Sequence, residues 1–339
     1  MKRIYLIVSL CMLAGFSFAQ KKVVKEGKSA MGSNTKEARE LIKPALTNPE
    51  TMNEAETWKI AGDIEYKMFD DELTKTKTEA ITKKAGDEQT MYDGLYNMYT
   101  PYLKADSLGQ LPDEKGKVKN KYRKDIIKNL KEVYPYYING GLFYNEKRDF
   151  DKASLYFERY WDLPKQSIFA DEANAFNLQD TTYQTIKYYT ILTAIQAENH
   201  KRAIDLMKKI MKEPYVTNST YKESDIYELL ASEYQRTNDS LAFVNTLRTG
   251  AEKFPTNKYF TPNLINEYIK GGKNSEALAF LDQAIANDPS NSCDLKSVKA
   301  TLYADKKDYA TSEPLYMEAL QTDANCERAL EGLGVLYIL

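Results

Sequence analysis

Apolar residues recur with helical spacing between residues 224 and 339, and one order of large and small positions returns at starts 224, 258, 293 and 327. The spacing between successive starts is therefore nearly constant. In each copy an apolar stripe is followed by a short polar turn and a second stripe, which predicts two antiparallel helices per copy. The last copy reads Leu330-x2-Leu333-Gly334-x2-Tyr337 and then the sequence stops. The pattern predicts an all-α chain built from helix pairs.

Small residues in the stripes mark places where two helices approach closely. The copy at 258 places Leu264 and Tyr268 in its first helix and Ala277 in its second, and an upstream copy contains Gly140-Gly141-x2-Tyr144. A small residue lets two backbones meet, and a ring fills the neighbouring gap. Each helix pair leaves one face bare for the next pair to cover, so such arrays need several copies.

This order of positions resembles that of the tetratricopeptide repeat (TPR) family. The resemblance covers residues 134–164 and 224–339, and it implies an α–α superhelix, a TPR-like solenoid of antiparallel helix pairs. Members of the family serve mainly as adaptors and scaffolds, which implies binding of a protein or peptide. Divergent helical repeats over 34–130, with a loop inserted at 105–124, are predicted to precede an array over 131–339. The expected copies are 134–164, 184–214, 224–257, 258–291, 293–326 and an incomplete copy at 327–339.

The N-terminal segment 1–19 has the pattern of a secretory signal peptide. Lys2 and Arg3 precede an apolar run, and small residues flank an inferred cut after Ala19. A membrane anchor would need about 20 apolar residues, which is longer than this run. The pattern therefore predicts a periplasmic or secreted protein. Residues 20–33 are polar and basic and are predicted to form a flexible lead.

A basic run follows the inserted loop. Eight Lys or Arg residues lie between Lys115 and Lys131, against the single acidic residue Asp125. Two interpretations are open: contact with an anionic envelope component, such as an acidic polysaccharide or phospholipid headgroup, and a solvated surface without a ligand. The net charge of −2 for the whole chain gives no indication of nucleic-acid binding. The basic patch is defined as Lys117, Lys119, Lys121, Arg123 and Lys124.

The sequence contains little that predicts catalysis. G-x-S-x-G, P-loop and dinucleotide-binding motifs are missing, and one histidine with three cysteines is too few for a His-based or structural zinc site. We therefore expect no enzyme activity, no cofactor and no metal. His200 falls at a turn between two helices, where a packing or surface role is predicted. Cys293 and Cys326 are predicted to stay free thiols, because stacked helices lie about 8–10 Å apart and a disulfide accepts a Cα separation of only about 7 Å.

The TPR resemblance also implies a groove lined by first-helix residues that lie beside the core positions. Their amides and hydroxyls could hydrogen-bond an extended peptide, and the alternative is an ordinary solvated helix face. One subgroup of the family binds a terminal carboxylate with groove lysines, and the corresponding lysines are missing here. The groove set is Asn139, Asn145, Ser232, Gln235, Asn263, Asn266, Lys270 and Thr301.

These observations predict an exported, non-enzymatic scaffold that binds a protein or peptide. The alternative is a carbohydrate-binding protein of the cell envelope, which the 26 tyrosines suggest. The apolar stripe from Leu330 to Leu339 has no partner helix after it. It indicates either a shortened version of a longer chain or self-association through this last helix.

Overall fold

A computed structural model describes residues 21–172, 175–289 and 292–338, and every regular element in these ranges is a helix. The chain divides into unit 1, which ends at Glu198, and unit 2, which begins at Asn199. In both units successive helices pair antiparallel, so the expected all-α, TPR-like architecture is confirmed. The predicted signal peptide lies outside the described residues. Within them, no helix has the length and apolar content needed to cross a bilayer.

Unit 1 opens with a helix where a flexible lead was predicted. Residues 21–30 are helical because Val24 is buried against the second helix and Gly27 lies close to Ile42. The inserted loop is also shorter than predicted, since the helix before it continues past Pro101 to Gly109. The helices of unit 1 are α1 (21–30), α2 (Thr35–Ile42), α3 (Ala55–Thr82), α4 (Glu88–Gly109), α5 (Arg123–Val133), α6 (Tyr136–Glu146), α7 (Phe150–Asp162) and α8 (Thr181–Gln196), with short 3₁₀ helices at Lys43–Leu46, Leu163–Lys165 and Ser167–Phe169.

Unit 2 follows the regular spacing of the sequence pattern. The first helices that match the four starts read from the sequence begin within two residues of them, at Glu223, Phe260, Cys293 and Glu327. The helices of unit 2 are α9 (His200–Ile210), α10 (Glu223–Arg236), α11 (Ser240–Lys253), α12 (Phe260–Lys270), α13 (Asn274–Asn287), α14 (Cys293–Asp305), α15 (Tyr309–Thr322) and α16 (Glu327–Leu336).

One turn conformation joins the two helices of each repeat. A residue with left-handed backbone conformation lies at one and the same offset from each of the starts 134, 184, 224, 258 and 293. The predicted starts and the observed turns therefore share one register. These left-handed residues are Arg148, Glu198, Asn238, Gly272 and Lys307.

The turn is held by backbone hydrogen bonds that satisfy the end of the first helix. The N–H of Asp149, just after the left-handed residue, donates to the carbonyl of Tyr144 at 2.9 Å, and the N–H of Asp308 donates to Tyr303 in the same way. This is the Schellman arrangement, which closes carbonyls left open at a helix end. The carboxylate of Asp149 then accepts from the N–H of Lys152 and caps the second helix.

The predicted close contact at Gly140 and Gly141 is present between α6 and α7. A Cβ atom added to Gly141 would lie 2.2 Å from Cε1 of Phe157, and one added to Gly140 would lie 2.4 Å from Cδ1 of Tyr156. Both rings are buried. The small residues therefore set how closely the two helices approach.

Gly141→Ala is expected to lower the free energy of unfolding by about 1–3 kcal/mol, because the ring of Phe157 must move to admit the methyl group. Gly334→Ala is the control, since no atom lies within 4 Å of a Cβ added there. The control should be as stable as the parent or slightly more, because Ala favours a helix over Gly. Urea unfolding measures both, and an unchanged stability of Gly141→Ala would refute the close contact.

Candidate functional site

The groove set of unit 2 lies on the first helices α10, α12 and α14. Ser232, Asn266 and Thr301 hold one equivalent position, since each precedes the left-handed residue of its own turn by the same number of positions. Gln235, Asn266, Lys270 and Thr301 are exposed, and Ser232 and Asn263 are partly buried. Successive first helices thus present short polar side chains at one repeating position.

Three members of this set have partners within the chain. The Asn263 amide donates to the carbonyl of Tyr259 at 2.6 Å, and the Thr301 hydroxyl lies 2.8 Å from that of Tyr316. The Lys270 ammonium lies 2.9 Å from Glu267. A ligand on this face must therefore replace these hydrogen bonds or use the groups' remaining capacity, whereas the amides of Gln235 and Asn266 lie at the surface.

A cleft lies beside Lys270. It has a volume of about 430 Å³ and lies between the start of α11 and the end of α12. Leu241 and Val244 form the apolar part of its lining, and Lys270 and Lys273 contribute positive charge. The cleft has room for an apolar side chain next to the cation of Lys273, while Lys270 is paired with Glu267 of the same lining.

In unit 1 the equivalent face is less polar than the sequence reading assumed. Asn139 is exposed and Asn145 is partly buried on α6, but Leu142 between them is 45% exposed. On α8, Tyr189 holds the position of Asn139 and is 40% exposed. Sequence reasoning missed Leu142 because it selected amides and hydroxyls, and it took no groove residue from the copy that contains Tyr189. The same position counting identifies both residues.

A polar network ties α3, α4 and α5 together. The Lys59 ammonium lies 2.6 Å from Asp63, and the Tyr102 hydroxyl donates to Asp63 at 2.9 Å and accepts from Asn129 at 2.8 Å. Burial holds the pKa of Tyr102 well above its usual range, and the carboxylate of Asp63 adds to the rise. Tyr102 therefore remains a protonated donor, and the network fixes the spacing of these helices.

The buried carboxylate of Glu65 in unit 1 is paired with an arginine. The Arg39 guanidinium makes two hydrogen bonds to Glu65, one of them with a distance of 2.7 Å from Nε to Oε1. Burial raises the pKa of Glu65, and the cation of Arg39 opposes that rise. The pair joins α2 to α3, so both side chains have a structural role.

His200 is also engaged inside the fold. It begins α9, and its Nδ1 lies 2.7 Å from Oε2 of Glu233, a buried residue of α10. Arg236 approaches the other oxygen of the same carboxylate at 3.7 Å. His200 thus partners a buried carboxylate and fastens α9 to α10, in agreement with a packing role.

The structure separates the basic patch into two parts. Lys117, Lys119, Lys121 and Lys124 are exposed, and Lys119 lies 3.0 Å from Asp113. Arg123 is only 20% exposed, and its Nη1 lies 2.8 Å from Oδ2 of Asp106. The four lysines remain at the surface, and the arginine contributes to the interior.

Arg123 also fastens the segment between α7 and α8. Its Nη2 donates to the carbonyls of Ser167 at 3.1 Å and Ile168 at 2.9 Å. Asn120 donates to the same Asp106 carboxylate at 2.7 Å. The loop after α4 and the turn at Ser167–Phe169 therefore meet around one buried ion pair.

The prediction of two free thiols is wrong. Cys293 and Cys326 form a disulfide with a Cα separation of 6.2 Å. Cys293 begins α14 and Cys326 caps α16, so both lie at the same end of two neighbouring first helices. The distance between helix axes overstates the separation of facing Cα atoms, because each helix has a Cα radius of about 2.3 Å.

The last apolar stripe is exposed on α16. Tyr337 is 67% exposed, whereas Tyr144, Tyr234 and Tyr268 at the equivalent position of other repeats are buried. Leu330 and Val335 are exposed as well. Self-association through this helix stays a prediction.

Comparison with known proteins gives structural likeness only. No protein-family model matches the chain, and no curated protein matches it. The crystal structure of YrrB, described as a TPR protein with an unusual peptide-binding site, is 15% identical, with a TM-score of 0.36 over 63% of this chain and 98% of that one. A crystal structure of MamA is 14% identical, with a TM-score of 0.36 over 57% and 93% of the two chains.

A longer match extends over 95% of this chain. It is to a complex of Naa15 and Naa10 bound to HypK-THB, with 15% identity and a TM-score of 0.36, and the match spans 52% of that chain. At these TM-scores the likeness adds no argument about function. The TPR-like fold rests on the helix pairs, their common turn and the small residues between them.

Proposed function

We propose that this chain is an exported, non-enzymatic scaffold that binds a protein or peptide along the first helices of its repeats. The observation that carries the proposal is the repeated position of Ser232, Asn266 and Thr301 on three successive first helices. Short hydroxyl and amide groups at regular intervals are suited to hydrogen-bond an extended backbone. The position recurs once per repeat, so it supports a ligand that runs along the array.

Unit 1 supports the same function with different chemistry. Leu142 and Tyr189 expose apolar surface at positions equivalent to groove residues. Aromatic and aliphatic anchors of this kind supply much of the energy of protein interfaces. The face of unit 1 is therefore suited to apolar side chains of a protein partner, whereas the face of unit 2 is suited to the backbone of an extended peptide.

Two observations support an exported setting. The segment 1–19 has the pattern of a signal peptide, and Cys293 pairs with Cys326. Structural disulfides persist mainly in oxidising compartments such as the periplasm or the extracellular space. A periplasmic or secreted location is proposed on these grounds.

The carbohydrate-binding alternative receives less support from the positions of the tyrosines. A sugar stacks on an exposed ring, but Tyr92, Tyr99, Tyr137, Tyr144 and Tyr156 are buried in unit 1. They pack edge-on or tilted against neighbouring rings. Much of the aromatic surface that suggested carbohydrate binding is therefore used in packing.

The test is affinity capture from an envelope extract with the full chain and two matched variants. The face variant carries Gln235→Arg and Asn266→Arg, and the control carries Asn245→Arg and Gln283→Arg on exposed positions of the second helices α11 and α13. A true ligand should bind the parent and the control equally and the face variant at least about tenfold more weakly, because bulky charge replaces the amides on its path. Titration calorimetry with each captured protein measures the difference. Equal binding of both variants to every captured protein would show that this face is not the binding surface.

A further inference from the structure

The loop between α4 and α5 exposes apolar side chains among lysines. Leu111 is 63% exposed and Val118 is 52% exposed. Lys115, Lys117 and Lys119 lie beside them in the chain, and all three are exposed. Asp113 and Glu114 lie in the same loop, and Asp113 is paired with Lys119, but the lysines outnumber these acidic residues and leave the loop positive. Apolar side chains among exposed lysines are typical of segments that enter a membrane interface.

Helix α1 presents a second row of lysines. Val24 and Gly27 face the core, and the lysines between and around them point to solvent. The outward residues have the spacing of one helix face. They are Lys21, Lys22, Lys25 and Lys28.

Lys28 of α1 approaches the start of α3. Its ammonium lies 3.9 Å from Oε1 of Glu56, and both side chains are exposed. A hydrogen bond with Tyr122 raises the pKa of Lys121, and the carboxylate of Glu56 adds to that rise. The exposed lysines of α1 and those of the loop are together called the lysine surface of unit 1.

The kind of cation distinguishes among anionic ligands. Arg123, the one arginine of the basic patch, is bound to Asp106 and to backbone carbonyls, so the exposed cations there are lysines. Lysine acts as a point charge, whereas arginine recognises a carboxylate or phosphate through two parallel hydrogen bonds. A lysine surface suits a diffuse field of negative charge, and groups of several lysines are typical of proteins that bind anionic leaflets.

We infer that the lysine surface of unit 1 binds an anionic phospholipid bilayer, with Leu111 and Val118 entering the headgroup region. The lysines supply long-range attraction, and the two aliphatic side chains supply a contribution that salt does not screen. An acidic polysaccharide would use the lysines but leave Leu111 and Val118 without a role. This surface is independent of the first-helix faces, so either proposal can fail while the other holds.

The experiment measures sedimentation of the full chain with two kinds of vesicle, one of phosphatidylcholine alone and one of equal parts phosphatidylcholine and phosphatidylglycerol. The charge variant carries Lys115→Glu, Lys117→Glu and Lys124→Glu. Its control carries Lys201→Glu, Lys258→Glu and Lys306→Glu, which are exposed positions of unit 2 with the same change in net charge. All proteins are the full mature chain, which begins at Gln20 after the proposed cut, so the apolar segment 1–19 cannot itself bind the vesicles and any difference between the two triple variants belongs to the loop.

The parent and the control should bind the anionic vesicles and bind the neutral vesicles weakly. The charge variant should lose about 100-fold or more in partitioning, since each lysine near an anionic surface contributes about a factor of five. Leu111→Ser with Val118→Ser should lower binding mainly at high salt, while Ile81→Ser with Met317→Ser, which alters exposed apolar residues elsewhere, should not.

Three results would overturn the inference. They are equal loss in the two triple variants, equal binding of the parent to neutral and anionic vesicles, and binding of the parent to dextran sulfate with none to anionic vesicles. Far-ultraviolet circular dichroism of each variant establishes that the helices are retained, so that a loss of binding reports on the surface.

Discussion

Arg123→Ala is expected to lower the free energy of unfolding by about 3–5 kcal/mol, the usual cost of removing one partner of a buried ion pair. Asp106 is only 4% exposed, and the substitution would leave its carboxylate buried with Asn120 as its remaining partner of those described. The carbonyls of Ser167 and Ile168 would lose their donor as well. Urea unfolding measures the stability, and hydrogen exchange around Ser167–Phe169 should show faster opening.

Lys124→Ala is the matched control, because Lys124 is the next residue and is exposed. Its stability should stay within about 0.5 kcal/mol of the parent. Arg123→Lys should fall between the two, since an ammonium cannot reach both the carboxylate and the two carbonyls. If Arg123→Ala is no less stable than Lys124→Ala, the contacts of Arg123 do not hold the loop after α4 to the segment at Ser167–Phe169.

Removal of the disulfide through Cys293→Ala with Cys326→Ala is expected to lower the free energy of unfolding by about 2–4 kcal/mol. The bridge closes a loop between cysteines with a sequence separation of 33, and it ties α14 to α16. Without it, the last helix is held mainly by a small core that includes Ala300, Ala319 and Leu333.

A thiol reductant separates the bridge from side-chain packing. It should destabilise the parent chain by a similar amount and leave the double variant unchanged. Mass spectrometry after alkylation without reductant should find both cysteines of the parent unmodified. Alkylation of both cysteines would show that they are free thiols, as the sequence predicted. The disulfide would then no longer support an exported location.

The repeat register was predictable because it depends on local sequence. The spacing of apolar residues defines each first helix, and the turn that ends it follows at a constant offset from the predicted start in five copies. Helical periodicity and helix ends are encoded within short stretches of neighbouring sequence, so one sequence contains enough information.

The features that were missed depend on contacts between distant residues. Residues 20–33 were predicted to be flexible because most of them are polar. Val24, however, packs against apolar residues of α2, and residues 21–30 form a helix. The role of Arg123 depends on the carbonyls of Ser167 and Ile168, which lie far along the chain from it. For the candidate site, position counting assigns residues to one helix face, which stays a prediction. The choice of amides and hydroxyls left out Leu142, and no groove residue was taken from the copy that contains Tyr189.

The common turn has a consequence for how such a chain can change over evolutionary time. The left-handed step directs the polypeptide from one helix into the next in the same way at Arg148, Asn238 and Lys307. Consider a duplication or deletion whose two breakpoints both fall at this left-handed turn residue. The helices that it brings together would already run in the directions that the turn requires. Whole units could be gained or lost there without a new connection, which lengthens or shortens the surface offered to a ligand in increments of one motif.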